Sequence, residues 1–182
     1  MKRILTLAVI SLLAFAGTAS AQKVAVKTNA LYWMTTTPNV GFEFAMADRW
    51  TFQIAGGYNP WIFDKEENLK IKHFLVSPEV RYWFCESFQG HFMGINGNYT
   101  QFNISPVEES RLQGWAAGAG LTYGYATPIA RRWNIEFNLG LGFWYTEYDK
   151  FESRPCGLFQ ERLNDLAFGI TDIGISFIYM IK

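Results

Sequence analysis

The chain has 182 residues, 16 basic and 16 acidic side chains, a formal net charge of zero, and 18% aromatic residues. Setting aside a leader that holds two of the basic residues leaves 14 basic against 16 acidic, a balance of −2. That excludes nucleic acid as a partner, and the remaining chain, rich in Phe, Tyr, Trp and Gly, is one domain's worth.

Lys2-Arg3, an apolar run from Ile4 to Ala16 and Ala19-Ser20-Ala21 have the layout of a cleaved Sec signal peptide over residues 1–21, leaving 22–182 as a single domain. No later segment offers the roughly 20 uninterrupted apolar residues of a spanning helix. A first strand is expected over Val24–Tyr32, ending at the turn cluster Thr35-Thr-Thr-Pro-Asn39. The second, Val40 to Met46, sets Val40, Phe42, Phe44 and Met46 against Gly41, Glu43 and Ala45. The third sets Trp50, Phe52, Ile54 and Tyr58 against Thr51, Gln53, Ala55, Gly57 and Asn59. After a charged loop, Trp61 to Lys72, the fourth opens at His73 with Phe74, Val80, Tyr82 and Phe84 on one face and Ser77, Glu79 and Arg81 on the other. The fifth runs from Gly90 to about Phe102, and a polar loop from Ser105 to Arg111 leads to a glycine-rich sixth around Trp115 to Tyr125. The seventh, Trp133 to Tyr145, alternates strictly: Trp133, Ile135, Phe137, Leu139, Leu141, Phe143 and Tyr145 face one way. The longest loop, Asp149 to about Asp165, precedes the eighth, with Ile173, Ile175, Phe177 and Tyr179 opposite Asp172, Gly174 and Ser176.

Successive side chains of a strand point to opposite faces, so each of these segments has a greasy face and a polar or tiny one. Connections after the second, fourth and sixth strands are short and those after the third, fifth and seventh longer and polar, the asymmetry of bacterial outer-membrane barrels. The expected fold is therefore all-β, an eight-stranded antiparallel up-and-down transmembrane β-barrel of outer-membrane type. A soluble exported ligand-binding barrel has the same strand count, but it would put the large aliphatic and aromatic residues into an interior that eight strands only just fill. Trp50, Tyr82, Phe84 and Trp133 are placed in a periplasmic aromatic girdle, and Tyr32, Tyr58, Tyr99, Trp115 and Tyr145 in an outer one. Asp172, Gly174, Phe177 and Tyr179 have the spacing of the C-terminal signal read by the barrel insertion machinery, although Met180-Ile181-Lys182 replaces the more usual terminal aromatic.

Lys27-Thr-Asn-Ala-Leu-Tyr-Trp33, Thr35-Thr-Thr-Pro-Asn39, Gly56-Gly-Tyr-Asn-Pro-Trp61, Arg81-Tyr-Trp83 with Cys85, and Gly90-His91-Phe92 together resemble domain-of-unknown-function family 3575 of the Bacteroidota, over Lys27 to Lys182. The resemblance implies an exported outer-membrane barrel, often encoded near fimbrial or other surface-assembly genes, and it brings no catalytic residues.

Parity sends Lys27, Glu43, Glu79, Arg81, Glu136 and Asp172 into the lumen, where charges must pair, so an internal polar network is expected. A gated pore or proton path is the competing reading, disfavoured by the narrow interior. His73 and His91 are expected near opposite rims, without a nucleophile elbow, which speaks against a lipid-modifying enzyme. No ligand-spaced set of His, Cys or carboxylates marks a metal site, and no cofactor is implied. Cys85 in a periplasmic turn and Cys156 in the last outer loop lie too far apart for a disulfide and are expected as free thiols. The loops Trp61–Lys72 and Asp149–Asp165 would serve as adhesive surfaces or as plain solvated connections. The expected function is non-enzymatic, a surface anchor, scaffold or assembly partner in contact with outer-membrane lipid and fimbrial or other surface proteins.

Overall fold

The computed structural model describes residues 23–62, 70–105, 110–152 and 157–181. The leader, most of the charged run after Trp61 and Cys156 lie outside the described residues. Eight strands, β1 (Val24–Asn29), β2 (Asn39–Ala47), β3 (Trp50–Asn59), β4 (Lys70–Trp83), β5 (Gly90–Ser105), β6 (Ser110–Ala130), β7 (Trp133–Glu152) and β8 (Phe159–Met180), follow one another with one short helix, α1 (Ala30–Met34), after β1. Each strand pairs antiparallel with its sequence neighbours, and β8 returns to β1, so the up-and-down sheet closes into a ring.

The alternation read from the sequence becomes an inside and an outside. Phe137, Leu139, Leu141, Phe143 and Tyr145 of β7 are exposed on the outer wall, while Asn134, Glu136, Gly140 and Gly142 between them are buried inside. The ring's stagger follows from the pairing. Ala25 connects round the ring through Glu43, Gln53, Glu79, Asn96, Gly120 and Gly142 to Gly169, yet its direct partner on β8 is Met180, eleven residues further along. One of those eleven is Thr171, an extra residue between the pairs Leu141–Ile170 and Gly140–Asp172. A regular stagger of ten residues at ~3.3 Å each, over eight strands ~4.8 Å apart, tilts the strands by about 40° and gives a backbone radius of about 8 Å. Such a ring has room inside for side chains and little else.

The bulge at Thr171 preserves the outer wall. Before it Leu166, Phe168 and Ile170 face out, after it Ile173 and Phe177, so the outward parity shifts by one without an apolar residue turning inward.

Four sequence expectations need correction. The first strand stops at Asn29 rather than running to Tyr32, because the Asn29 side chain accepts the Leu31 amide at 3.0 Å and caps a helical turn. Tyr32 accordingly leaves the outer wall and lines a cavity inside the ring. The connection after β3 is shorter than read, since β4 opens at Lys70, as is that after β5, since β5 continues to Ser105 and β6 opens at Ser110. The longest loop is mostly a hairpin: β7 continues to Glu152 and β8 begins at Phe159, with Lys150 opposite Glu161 and Asp149 opposite Arg162. Cross-strand ion pairs hold these polar residues in strands, where polarity alone suggested a loop.

Inward glycines hold room for their neighbours. A Cβ at Gly124 would lie 2.4 Å from the Phe92 ring and 2.7 Å from the Phe137 carbonyl oxygen, whereas one at Gly169 meets nothing within 4 Å. Gly124→Val is therefore expected to lower stability by about 1–3 kcal/mol and Gly169→Ala to leave it nearly unchanged, measured as the shift of the urea unfolding midpoint by tryptophan fluorescence.

Candidate functional site

The interior is built in layers. Near the short turns Trp83 and Phe92 are fully buried, their rings 4.7 Å apart, with Ala126 beside them. The β4–β5 connection folds back over this end: Phe88, in the left-handed region at φ 71°, is buried 6.1 Å from Trp83, and its carbonyl accepts a 2.7 Å hydrogen bond from the Asn134 amide. The result is an apolar floor across one mouth of the ring. Trp83 is anchored through its indole N–H, which donates to Thr51 Oγ1 at 3.0 Å.

Directly above the floor Arg81 lies with its guanidinium carbon 4.4 Å from the centre of the Phe92 ring. Its Nε donates to Glu79 at 2.8 Å and its Nη1 to Glu43 at 3.2 Å and Glu136 at 3.0 Å. Lys27 Nζ donates to Glu43 at 2.9 Å, to both Glu136 oxygens at 2.8 Å and to Gln53 at 2.8 Å, while Thr51 donates to Glu43 at 2.6 Å. Five of the six charges that parity sends inward thus meet in one cluster drawn from β1, β2, β4 and β7. All five are at most 5% exposed, a burial that charges tolerate only when their hydrogen bonds are met. Glu79 Oε1 has no partner among the described residues and points where a Gly94 Cβ would be, 2.2 Å away.

Asp172, the sixth, stands apart. It accepts a hydrogen bond from the Asn138 amide and has no ion pair among the described residues. It lines, with Lys27, Asn29, Tyr32, Asn138 and Ser77, a cavity of about 40 Å³ that opens away from the floor. A water needs roughly 10–15 Å³ by this measure, so the space admits a few waters and no lipid or sugar. Asn96, Asn98 and Thr122 form a neutral hydrogen-bonded group inside the ring, with Asn96 donating to Thr122 at 2.6 Å and Asn98 to the Thr171 carbonyl at 3.0 Å.

The remaining C-terminal positions have separate roles. Gly174 packs so closely that a Cβ would lie 2.2 Å from Asn138 Oδ1, Phe177 is exposed on the outer wall, and the Tyr179 ring sits 5.0 Å from Trp133. His73 faces Thr37 at 3.4 Å at the loop end, whereas His91 faces outward at the turn end, 2.8 Å from the Tyr123 hydroxyl. Cys85 is exposed in the β4–β5 connection.

Sequence reasoning missed the aromatic floor and the helical cap. The floor was available from parity: Trp83 continues the inward series Ser77, Glu79, Arg81, and Phe92 precedes inward Gly94. For α1 the signal was Asn29, a favoured cap residue before Ala-Leu.

Removing Arg81 leaves Glu43 and Glu136 sharing Lys27 and takes from Glu79 its ion-pair partner. Arg81→Met is expected to cost about 3–5 kcal/mol, and Glu79→Gln, at a carboxylate with one free oxygen, clearly less than Glu136→Gln, which weakens bonds to both cations. Urea unfolding of the three variants checks this order.

The family described as "Protein of unknown function (DUF3575)" matches residues 6–181. No curated protein and no solved structure matches the chain. With almost its whole length matched, the chain belongs to the DUF3575 family.

Proposed function

We propose that this protein is an eight-stranded outer-membrane β-barrel, exported by a cleaved signal peptide, that acts without catalysis as an anchor and docking platform at the cell surface. The observation that carries the reading is the outer wall. Large apolar side chains are exposed on every side of the ring, among them Phe42, Ile54, Ile95, Leu121, Leu139 and Phe143. A water-facing surface rarely holds a continuous apolar belt of this extent, and hydrocarbon is the solvent that suits it.

The belt has the height a bilayer asks for. Trp133 and Tyr145 stand twelve residues apart on β7; at ~3.3 Å per residue and a tilt of about 40° they are separated by about 30 Å along the axis, against an apolar band of about 25 Å between aromatic girdles. Around Trp133 cluster Tyr179, and on the facing wall Trp50 with Tyr82; around Tyr145 cluster Trp115 and Tyr99. Backbone pairing supports the same reading, because hydrocarbon does not tolerate unpaired strand edges: β1 and β8 close the ring over Ala25–Asn29 and Ser176–Met180, and above that the side chains of Asn29, Asn98 and Trp144 meet β8 backbone groups as far as Ile170. On this reading Asp172, Gly174, Phe177 and Tyr179 serve the barrel insertion machinery, and the partners are surface-assembly proteins, fimbrial subunits among them.

The interior argues for an anchor over a channel. A continuous path would have to pass the Arg81 cluster and then the Trp83–Phe92–Phe88 floor, both buried and tightly packed.

Two measurements test the reading. The protein is expected in the outer-membrane fraction, resistant to carbonate extraction and soluble only with detergent; recovery without detergent overturns the proposal. In a Cys156→Ser variant, Cys85 in the short β4–β5 connection is expected to resist a membrane-impermeant maleimide on intact cells and to react once the outer membrane is permeabilised. Labelling on intact cells would reverse the orientation.

A further inference from the structure

The ring is lopsided at its loop end. β1 is six residues long and β8 twenty-two, and they pair only between Ala25–Asn29 and Ser176–Met180. Among the described residues no strand pairs with the outer edge of β8 from Phe159 to Ile170, although β7 accompanies it on the other side throughout.

The edge is treated differently in its two halves. Next to β1, Asn29 stands in for the missing strand: its Nδ2 donates to the Ile173 carbonyl at 3.0 Å and its Oδ1 accepts from the Ile175 amide at 3.4 Å. Side chains also reach the next carbonyls, Asn98 to Thr171 and Trp144 to Ile170, at 3.0 and 2.9 Å. Beyond Leu166, which pairs with Tyr145 at the level of the outer aromatics, no described side chain caps the edge. In a strand alternate residues direct both backbone groups to one side. Ile173 and Ile175 face the β1 side, and the bulge at Thr171 shifts the phase, so Ile170, Phe168, Leu166, Asn164 and Arg162 face the open edge.

The hairpin that carries this edge is tied across its two strands, polar toward the tip and apolar at Leu166 and Phe168. Arg162 donates to Asp149 at 2.7 and 3.1 Å, holding its carboxyl below the usual range, and the Phe151 and Phe159 rings meet edge-on at 5.9 Å near the hairpin tip. Leu166 and Phe168 are 66% and 65% exposed. Phe159–Ile170 holds no proline and no lysine, and its charges, Glu161, Arg162 and Asp165, lie toward the hairpin tip, leaving Leu166–Ile170 uncharged.

We infer that the open edge of β8, from Gln160 to Phe168, is a docking site for an extended segment of a partner protein, which adds to the sheet as a further strand. Its chemistry follows from the edge. Backbone amides and carbonyls supply the ladder, apolar residues of the partner pack beside Leu166 and Phe168, and basic residues between them meet Asp165 and its surroundings. Acidic residues outnumber basic ones five to two over Thr146–Glu152 and Phe159–Asp165, which selects a cationic strand. The surface position of this edge rests on the membrane reading above; the pairing chemistry does not.

The test uses the full mature protein in liposomes and a synthetic peptide alternating Val or Phe with Lys or Thr. Binding is expected to slow amide exchange at Asn164, Leu166 and Phe168, and to weaken at least about tenfold, the worth of one or two backbone hydrogen bonds, with Asn164→Pro or with a peptide N-methylated at alternate residues. Leu166→Lys, which keeps every backbone group of the hairpin, serves as a second blocking variant. Absence of binding, or binding indifferent to both variants and to N-methylation, overturns the inference. So does self-association of the protein through this edge, abolished by the same variants, since it would name a second copy as the occupant. A protein that fractionates as soluble yet binds the peptide here overturns the membrane reading and upholds the edge.

Discussion

Everything inside the ring is arranged around Arg81. A guanidinium buried to 1% exposure must have its donors met and its charge balanced within a few ångströms, and at a backbone radius of about 8 Å the strands across the interior are near enough to do both. Glu79 comes from the same strand two residues away, Glu43 from β2 and Glu136 from β7, so one side chain ties together walls that no backbone ladder joins directly. Lys27 repeats the arrangement from β1. Because the flat face of Arg81 also lies on Phe92, the cluster and the aromatic floor are one packing unit.

That unit fixes the positions of small residues. Gly94 is bare because Glu79 occupies its place, and Gly124 because Phe92 does. The glycines that make the strands look weak in sequence are the spaces into which long charged and aromatic side chains fold. A wider ring would have no such need.

Strand number, order and facing were legible in the sequence because a period of two with one large apolar set has only one solution in a closed sheet, and Trp133 through Tyr145 states it with Trp144 as the one large side chain on the opposite parity. The inward charges were legible for the same reason. What the sequence concealed was set by tertiary pairing. Glu147, Asp149, Lys150, Glu161 and Arg162 look like a solvated loop until β7 and β8 bring opposite charges face to face. Trp83 and Phe92 look like outer-wall residues until their parity is followed through Arg81 and Gly94. The early end of β1 depends on one asparagine whose side chain serves the Leu31 amide and the β8 backbone together.

This last point joins the fold to its use. Had β1 continued as a strand to Tyr32, it would have covered more of β8; by turning at Asn29 into a helix that sends Tyr32 inward, the chain lines the cavity and leaves the upper edge of β8 bare in the same step. The interior, floored and ion-paired, is spent on stability, and its cavity is too small for a ligand. Among the described residues, the long stretch of strand backbone with no ladder partner is the outer edge of the β7–β8 hairpin. On the proposed reading recognition belongs to the rim, and the ring's contribution is to carry that rim.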